Sequence, residues 1–506
     1  MANHLFATKP LSELLEEMKG DDRLRRVLGP VQLTALGVGC IIGAGIFVAT
    51  GAAAHNIAGP SLMVSYMVAG ASCIFAALCY AEFASMAPVA GSAYTYAYAT
   101  LGELFAWIIG WDLILEYAVG AATVANGWSG YFQSVLAKFG LHFPEALAGP
   151  PIVYKAGEFV HTSGVINLPA VLIVTIVTIV LVKGIQESAG FNTLMVFLKL
   201  AAVLFVILVG AFYVNPQNWH PFAPYGMTGV SFFGYTVAGQ TDAGGAPVGM
   251  LAGAAIIFFA YIGFDSVSTH AEEAKRPSRD VPIGIIASLV ICTALYIGVV
   301  AVLTGMVSYD KLSVDAGVSD AFKQAGLPWA ELIIAAAGVA GITSVLLVLM
   351  LSAPRVFLAM ARDGMVPRSF FADVHPRFRT PWRSTILIGA FVALMTGFLP
   401  LDALLHLTNI GTLFAFVIVC AAVLIMRKTN PNAERPFRTP LYPIVPILGI
   451  VMCLMLMFSL PAANWYRLIA WMAIGLVVYF SYGYRHSLLA ARMKQASAAG
   501  SAARRQ

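Results

Sequence analysis

Hydrophobic residues lie along this chain in long runs that short polar segments separate. A helix needs roughly 20 mostly apolar residues to cross the hydrocarbon core of a bilayer, and about twelve runs have that character. They leave no room for a large soluble domain among the 506 residues. The pattern predicts membrane-spanning helices, numbered here as spans 1 to 12, at residues 31–53, 60–86, 97–126, 167–183, 188–213, 249–272, 282–306, 329–361, 384–399, 402–426, 443–460 and 466–484.

The composition agrees with lipid as the solvent of these helices. Apolar residues make up 59% of the chain and charged residues 11%, whereas an average soluble domain carries about 25% charged residues. A soluble core could not cover that much apolar surface with so little polar surface. All six cysteines lie inside predicted spans without metal-ligand spacing, so we expect buried thiols, no disulfide framework, no metal and no cofactor.

The N-terminal segment 1–30 precedes the first apolar run, which is too long for the core of a cleavable signal peptide. Within this segment, apolar side chains recur at helical spacing, at Leu11, Leu14, Leu15 and Met18. Charged residues occupy the other faces. This pattern predicts a short amphipathic helix that lies on the membrane surface.

Basic residues are distributed unevenly between the two predicted sides of the membrane. With the N-terminus inside, the internal segments hold 23 Lys and Arg residues and the external segments hold five. Such an excess marks the cytoplasmic side of a membrane protein. We therefore expect a multi-pass protein of the cell inner membrane with both termini in the cytoplasm, and the net charge of +5 requires no nucleic-acid partner.

Two predicted spans contain glycines at which a helix is expected to unwind. Gly43 and Gly45 flank one small residue in span 1, and Asp265 follows Gly263 by two residues in span 6. Glycine weakens a helix by about 1 kcal/mol relative to alanine. An aspartate can accept from the free N–H groups of a restarting helix, so Asp265 is the candidate cap at the break. The alternative for span 1 is that Gly39 and Gly43 allow close helix packing.

The two breaks are five spans apart. Because five is an odd number, a second unit that begins at span 6 crosses the membrane in the opposite direction. Paired interrupted helices in inverted halves indicate a midplane substrate site in secondary transporters. The predicted units are a cytoplasmic N-terminal segment at 1–30, a first inverted repeat at 31–215, an external loop at 216–248, a second inverted repeat at 249–427, spans 11 and 12 at 428–485, and a cytoplasmic tail at 486–506.

Four motifs resemble those of a known transporter family. They are Gly43-Ala44-Gly45-Ile46-Phe47-Val48, Phe259-Ala260-Tyr261-Ile262-Gly263-Phe264-Asp265, Glu272-Glu273 with Arg279-Asp280-Val281-Pro282, and Arg362-Asp363-Gly364-Met365-Val366-Pro367. In this order on twelve spans they resemble the amino acid–polyamine–organocation (APC) superfamily, and within it the bacterial members of the cationic amino acid transporter family. The segment 235–248 departs from the family pattern and resembles an insertion before span 6.

The resemblance implies an all-α membrane protein with twelve transmembrane helices, a five-plus-five inverted-repeat core with broken helices 1 and 6, and two peripheral helices. It also implies that an amino acid binds through its carboxylate and ammonium groups at the breaks. N–H groups at a helix start attract a carboxylate, and free carbonyls accept from an ammonium. We accordingly assign the carboxylate to the backbone of Gly43, Ala44 and Gly45, and the ammonium to carbonyls near Ile41, Phe258 and Ile262.

Lys199 lies about eight residues into span 5, roughly 12 Å from the inner end of that helix. A lysine at membrane depth costs about 2.5–3.5 kcal/mol on insertion scales, so its presence requires a reason. Either its side chain snorkels to the inner interface, or it titrates as a coupling group that faces span 1. The resemblance implies that a lysine here stands where sodium-coupled relatives bind sodium.

Two carboxylic acids also lie at membrane depth. Asp112 and Glu116 are four residues apart and project from one face of span 3. They either relay a proton, or meet a cationic substrate side chain, or are hydrogen-bonded within the bundle. Lys199, Glu116 and Asp112 are therefore the candidate proton-coupling residues.

These observations predict a permease for L-amino acids that works by proton-coupled symport and alternating access. A sodium-coupled or exchange-only amino acid transporter of the same fold is the alternative. A channel or a multi-span enzyme is disfavoured, because the sequence has neither a filter-like repeat nor an HExxH, GxSxG or GxxxxGKS/T motif. The sequence leaves open which amino acid is carried, whether it is cationic or neutral, and the oligomeric state.

Overall fold

The computed structural model describes residues 4–10, 28–86, 92–155, 158–184, 189–232, 235–269, 274–314, 317–378, 380–493 and 495. Helices follow one another along nearly all of these ranges. The amphipathic helix predicted within 1–30 and the Glu272-Glu273 pair lie outside the described residues.

The helices are numbered in chain order. They are α1 (Pro30–Ile41), α2 (45–58), α3 (Leu62–Met86), α4 (Ser92–Thr100), α5 (Glu103–Lys138), α6 (Glu145–Ala148), α7 (Leu168–Lys183), α8 (Ala189–Gly210), α9 (Met250–Ile257), α10 (Ser266–Thr269), α11 (Pro277–Met306), α12 (Gly317–Gln324), α13 (Pro328–Arg362), α14 (Arg368–Phe371), α15 (Trp382–Phe398), α16 (Leu401–Thr429), α17 (Ile444–Phe458), α18 (Ala462–Val478) and α19 (Tyr484–His486). α2 combines the π-helical turns Gly45–Ala49 and Ala54–Ala58 with the α-helical turn Thr50–Ala53. Further single turns occur at His4–Phe6, Gly59–Ser61, Ala211–Tyr213, Pro216–Trp219, Tyr309–Lys311 and Tyr479–Gly483.

The helices form the multi-helix membrane fold that the hydrophobic pattern predicts. In the described ranges, seven helical segments are long and apolar enough to cross a membrane, and five further apolar helices have 10–17 residues. Each predicted span falls on one of these helices, or on two where the span is broken. The count of twelve crossings stays a prediction, because the five shorter helices do not reach a full crossing length by themselves.

Span 3 begins later than predicted. The predicted start at residue 97 is wrong, because α4 ends at Thr100 and a new helix, α5, begins at Glu103. Between them Gly102 has a φ of 98°, a left-handed conformation that stops the helix. A Cβ atom on Gly102 would lie 2.5 Å from the backbone of Phe6, so the glycine also lets the N-terminal segment pack closely.

Helices at equivalent places in the two predicted repeats pack against each other. α11 of span 7 packs on α3 of span 2, and α13 of span 8 packs on α5 of span 3. In the same way α15 of span 9 packs on α7 of span 4. Two inverted units related by an axis in the membrane plane produce such pairs. The arrangement places the breaks of spans 1 and 6 in mutual contact.

Short antiparallel hairpins connect some of the helices. Their strands are β1 (Ile152–Lys155) with β2 (Glu158–His161), β3 (Val230–Phe232) with β4 (Tyr235–Ala238), and β5 (Gln240–Thr241) with β6 (Pro247–Val248). The predicted insertion 235–248 therefore contains β4, β5 and β6. The backbone N–H of Gly249 donates to the carbonyl of Ile57 at 2.8 Å, which ties the end of this segment to α2.

The cysteines are buried in the helical core. All six are buried and outside any disulfide bond, which confirms the prediction of buried thiols. They include Cys40 in α1, whose carbonyl lies against the break of span 6.

Candidate substrate and coupling site

Span 1 is interrupted where the sequence places its paired glycines. α1 ends at Ile41, Ile42 is extended with φ −71° and ψ 107°, and α2 begins at Gly45. A Cβ atom on Gly45 would overlap the backbone of Ala260 in span 6. The glycine is therefore required for the two breaks to touch.

Span 6 is interrupted by a turn of 3-10 helix and an extended residue. The turn Phe258–Tyr261 follows α9, and Ile262 has φ −58° and ψ 135°. Gly263 then takes a φ of 111°, which residues with a Cβ atom rarely adopt. Its Cβ position would lie 3.0 Å from the carbonyl oxygen of Cys40, so glycine also permits close contact with α1.

Asp265 lies directly before α10, at the position predicted for a helix cap. Its main-chain carbonyl accepts from the backbone N–H of Ser268 at 2.9 Å. Its carboxylate accepts from the hydroxyl of Tyr117 at 2.8 Å. Because Tyr117 belongs to α5, this hydrogen bond joins the break of span 6 to span 3, and the capping role of the carboxylate stays a prediction.

The predicted substrate-binding residues all belong to these two breaks. The structure buries every one of them, namely Ile41, Gly43, Ala44, Gly45, Phe258 and Ile262. Since the breaks touch, the six residues lie on two facing segments of irregular backbone. Irregular backbone at membrane depth is tolerated only where protein or a cavity surrounds it. This geometry is compatible with the predicted site, and its occupancy by substrate stays a prediction.

Tyr296 of α11 is a residue of the site that sequence reasoning missed. Its hydroxyl lies 2.8 Å from the carbonyl oxygen of Ile41 and 3.1 Å from that of Ala260. One O–H group therefore serves free carbonyls of both broken helices. The available signal was a tyrosine inside the apolar run of span 7, because a buried tyrosine hydroxyl requires a partner.

Tyr296 belongs to a cluster of three fully buried tyrosines behind the breaks. Its ring centroid lies 5.4 Å from that of Tyr66 and 5.5 Å from that of Tyr261. The Tyr66 hydroxyl shares a 2.7 Å hydrogen bond with Thr50, which donates to the carbonyl of Gly45 at 3.3 Å. The cluster thus satisfies backbone groups that the breaks leave without helical partners.

Lys199 of α8 points into the bundle. Its side chain is 1% exposed, and its ammonium group donates to the carbonyl of Gly39 in α1 at 2.5 Å. The lysine stem passes α13, where a Cβ atom on Gly341 would lie 3.2 Å from the lysine Cγ. The side chain therefore links spans 5, 1 and 8 and does not snorkel to the interface. Among the described residues, no carboxylate forms an ion pair with it.

Asp112 and Glu116 are buried on the face of α5 that meets α16. Glu116 lies beside Thr412, and the acidic side chains near it are those of Asp265 and Asp112. One oxygen of each span-3 carboxyl group is buried without a hydrogen-bond partner in the described part of the chain. The structure brings Glu116 near the break of span 6, whereas Lys199 contacts span 1. Within the same ranges no group of three His, Cys, Asp or Glu side chains could hold a metal ion.

A cavity of about 1440 Å³, termed here the vestibule, opens between the ends of several spans. Ala52 and Asn56 of α2, Ile256 of α9 and Asp242 of the β5–β6 hairpin are among the residues that line it. Ile256 precedes the 3-10 turn of span 6 by two residues. The vestibule therefore approaches the breaks from this end of the bundle.

α12 forms part of one wall of the vestibule, where Ser319 and Asp320 line the cavity. The helix rests on α2 through two glycines. A Cβ atom on Gly317 would lie 2.6 Å from the Cα atom of Gly51. The two backbones thus touch with no side chain between them.

Charged hydrogen bonds hold the opposite end of the bundle together. Asp363, which follows α13, forms an ion pair with Lys9 at 3.2 Å and accepts from the hydroxyl of Tyr94 at 2.7 Å. Arg427 at the end of α16 donates two hydrogen bonds, of 2.9 and 2.6 Å, to Glu82 of α3. These contacts join the N-terminal segment and four helices at the end that lacks the vestibule.

Comparison with known proteins identifies relatives over nearly the whole chain. Residues 28–479 match the family described as amino acid permease. The methylthioribose transporter of Bacillus subtilis is 46% identical over 485 residues, which cover 96% of this chain and 99% of that protein. The branched-chain amino acid permease BcaP of the same bacterium is 46% identical over 490 residues, which cover 97% of this chain and 100% of that protein.

A more distant relative is found in animals. Cationic amino acid transporter 4 of Homo sapiens is 36% identical over 429 residues, which cover 83% of this chain and 63% of that protein. These relatives are named as transporters and permeases, and they confirm the resemblance that the four motifs indicated. The chain therefore belongs to the amino acid permease family and is a multi-span membrane transporter rather than an enzyme.

Proposed function

We propose that this chain is a proton-coupled symporter for L-amino acids that works by alternating access in the cell inner membrane. The observation that carries the proposal is the position of Lys199. Its buried ammonium group bonds to the α1 carbonyl of Gly39, beside the break at which we place the substrate. This position supports a role for Lys199 as a proton-binding group next to the proposed substrate site.

The backbone of the two breaks supports an amino acid as the substrate. The first N–H groups of α2 lie at the positive end of that helix, so they suit the α-carboxylate. The carbonyl oxygens around Ile41, Phe258 and Ile262 accept hydrogen bonds, so they suit the α-ammonium group. The contact between Gly45 and Ala260 holds these donors and acceptors together.

The names of the relatives leave three substrate classes to separate. They are a branched-chain amino acid, a cationic amino acid and methylthioribose, which has neither a carboxylate nor an ammonium group. We favour an amino acid because donors for a carboxylate and acceptors for an ammonium both occur at the breaks. The residues near Glu116 would then decide between a neutral and a cationic side chain.

Lys199 couples the proton to the movement of the bundle in this proposal. When the lysine is protonated, it donates to the carbonyl of Gly39 and holds α1 against α8 and α13. When the lysine releases its proton, that hydrogen bond is lost and α1 is free to move. A proton gradient drives the cycle only if the two conformations differ in their affinity for the proton.

A sodium-coupled mechanism would place a sodium ion where the ammonium group of Lys199 lies. A sodium ion at this place would need several oxygen ligands, and the ammonium group of Lys199 already occupies the carbonyl of Gly39. Like-charged groups disfavour each other in a poorly hydrated interior. We therefore assign the driving force to the proton.

Alternating access is supported by the difference between the two ends of the bundle. The vestibule leads from one end towards the breaks, while charged hydrogen bonds join the helices at the other end. A carrier must close the first end and open the second to release its substrate. The reversal would separate the contacts that Asp363 and Glu82 make.

Uptake by the purified protein in proteoliposomes tests the proposed function. Radiolabelled leucine, lysine and methylthioribose should be offered separately, each under an inward proton gradient, an inward sodium gradient and no gradient. We expect one amino acid class to accumulate under the proton gradient alone. Accumulation of methylthioribose only, or accumulation that requires sodium, would overturn the substrate or the coupling assignment respectively.

Glu116→Gln is expected to separate cationic from neutral substrates. The amide keeps the shape of the side chain, but it cannot carry a negative charge beside the break of span 6. If the carboxylate meets a cationic side chain, lysine or arginine binding should weaken by about 10-fold or more, as for a lost charge-assisted hydrogen bond, while alanine binding changes little. Competition binding with the three amino acids measures this, and equal losses for all of them would indicate a structural or proton-relay role.

The orientation in the membrane is proposed from the charge distribution and can be measured directly. Single cysteines at Ser369 and Pro431 should react with an impermeant maleimide only from the cytoplasmic side. Cysteines at Gly149 and Gln324 should react only from outside. The six native cysteines are buried, so we expect little background labelling. Labelling of Gln324→Cys from the cytoplasmic side would refute the proposed topology.

A further inference from the structure

The β3–β4 hairpin exposes an apolar face. Phe232, Tyr235 and Val237 are 53%, 82% and 69% exposed. Phe232 pairs with Tyr235 across the hairpin, and Val237 follows Tyr235 by two residues. Phe232 and Tyr235 therefore share one face of the hairpin, and the exposed side chain of Val237 extends this apolar patch at the β-bulge opposite Val230 and Ser231. Large apolar side chains grouped in this way mark an interaction surface.

The other face of the hairpin is docked on the protein. Ser231 is 1% exposed, and its hydroxyl donates to the carbonyl of Leu460 at 3.1 Å. Leu460 lies in the connection between α17 and α18. On the apolar face, the half-exposed ring of Phe232 lies 5.4 Å from that of Phe458 at the end of α17, so the protein covers part of this ring. These contacts fix the hairpin at the ends of spans 11 and 12.

The apolar face continues a surface that faces lipid. α17 exposes residues at helical spacing along one side, namely Ile444, Ile447, Leu448 and Val451. In a multi-span membrane transporter, such a side of a peripheral helix is the lipid-facing side. The hairpin is attached at the far end of the same helix, so its apolar face lies where the hydrocarbon gives way to the headgroups.

The aromatic residues near the hairpin also suit this depth. Trp465 stacks on Phe458 with ring centroids 5.3 Å apart, and Tyr466 of α18 is exposed. Tyrosine and tryptophan are enriched at membrane–water interfaces, where an apolar ring and a polar tip are both accommodated. Tyr235 has the same character as these neighbours.

The sequence carries no charge that would oppose contact with lipid here. No Asp, Glu, Lys or Arg occurs between His220 and Asp242. Within the hairpin, Phe232 pairs with Tyr235 and Ser231 pairs with Thr236, and a β-bulge follows at Val230. The exposed face can therefore enter an apolar boundary without bringing a charged group with it.

We propose that the β3–β4 hairpin is a membrane-interface anchor whose apolar face, formed by Phe232, Tyr235 and Val237, rests in the adjacent leaflet of the bilayer. The anchor holds the ends of spans 11 and 12 at a fixed depth. It acts on the peripheral helices, whereas the next hairpin, β5–β6, lines the vestibule and is tied to α2. In this proposal the β3–β4 hairpin of the external segment contacts lipid, and the β5–β6 hairpin lines the transport path.

A polarity-sensitive label at Val237 tests the anchor. Val237→Cys carries a nitrobenzoxadiazole fluorophore, and Ala243→Cys carries the same label as the matched control. Ala243 is exposed, lies in the same external segment and lines the vestibule. In proteoliposomes we expect blue-shifted emission and strong quenching by lipids with a nitroxide near the headgroup for position 237. We expect water-like emission and no quenching for position 243.

Two other outcomes at position 237 would overturn the proposal. Water-like emission without quenching by nitroxide lipids would show that the face lies in water. Blue-shifted emission that nitroxide lipids do not quench, and that rises with the protein-to-lipid ratio, would identify a second copy of the chain as the cover. Neither outcome bears on the transport proposal, because the hairpin docks on Leu460 and Phe458 and contributes no residue to the proposed substrate site.

A second variant tests the function of the face without a label. Tyr235→Asp with Val237→Asp places two charges on it. We expect a lower melting temperature in liposomes than for the parent, while the affinity for substrate stays unchanged. A matched pair of changes, Gln240→Asp with Thr241→Asp, is expected to leave the melting temperature unaltered. Equal melting temperatures for all three proteins would contradict the anchor.

Discussion

Lys199→Met is expected to abolish the accumulation of substrate when an inward proton gradient is the only driving force. Methionine keeps a flexible, unbranched stem that can pack against Gly341, but it lacks the ammonium group that donates to Gly39. A hydrogen bond from a charged group contributes about 1.5–3 kcal/mol where it forms. A coupling energy of that size corresponds to roughly 10- to 150-fold in a conformational equilibrium. Without it, the proton gradient cannot bias the cycle.

The measurement is the ratio of internal to external substrate at steady state, together with substrate affinity from a thermal-shift titration. Lys183→Met is the matched control, because it removes an exposed lysine from the end of α7. We expect the control to accumulate substrate like the parent. We expect the Lys199 variant to bind substrate and to equilibrate it without accumulation. Parental accumulation by Lys199→Met would exclude this lysine as the coupling group.

Tyr296→Phe is expected to slow transport strongly while the fold persists. The ring would keep its contacts with Tyr66 and Tyr261, but the carbonyls of Ile41 and Ala260 would lose their shared donor. Leaving a buried acceptor without its partner costs about 1–3 kcal/mol. We expect that cost to loosen the two breaks relative to each other. Exchange of substrate should then fall by about 10-fold or more, since tenfold corresponds to about 1.4 kcal/mol.

The control for Tyr296 comes from the same cluster. Tyr261→Phe also removes one buried hydroxyl. That hydroxyl donates to the carbonyl of Tyr66 in α3 at 2.9 Å and does not join the carbonyls of the two breaks. Counterflow rates and melting temperatures should be measured for both variants. We expect both variants to have a lower melting temperature than the parent. We expect only Tyr296→Phe to have a slower counterflow. Equal transport defects would show that Tyr296 has no special position.

The positions of the breaks could be predicted from sequence because they depend on local chemistry. Gly43 and Gly45 weaken the helix of span 1, and Gly263 adopts a backbone angle that other residues avoid. The multi-helix fold follows in the same way from the length of the apolar runs. Lys199 was identifiable because a lysine at membrane depth requires a partner.

Other features depend on contacts between distant segments, which no local pattern encodes. From the sequence we assign the substrate carboxylate to the backbone around Gly45, and the structure adds that the missing Cβ of this glycine makes room for Ala260. A Gly45→Leu variant would therefore force the breaks apart and is not a clean test of binding. Tyr296 was missed because its two acceptors come from spans 1 and 6. The predicted start of span 3 is too early because Gly102 interrupts a run that is otherwise mostly apolar.

The two ends of the bundle contain contacts that respond differently to substitution. At the vestibule, α12 meets α2 through the bare backbones of Gly317 and Gly51, a short-range contact that carries no charge. At the opposite end, the Lys9–Asp363 ion pair is largely buried, and dissolved salt screens a buried pair much less than an exposed one. Removing one member of a buried ion pair is strongly destabilising. A change of residue at position 9 or 363 is therefore expected to loosen that end of the bundle far more than a change of ionic strength.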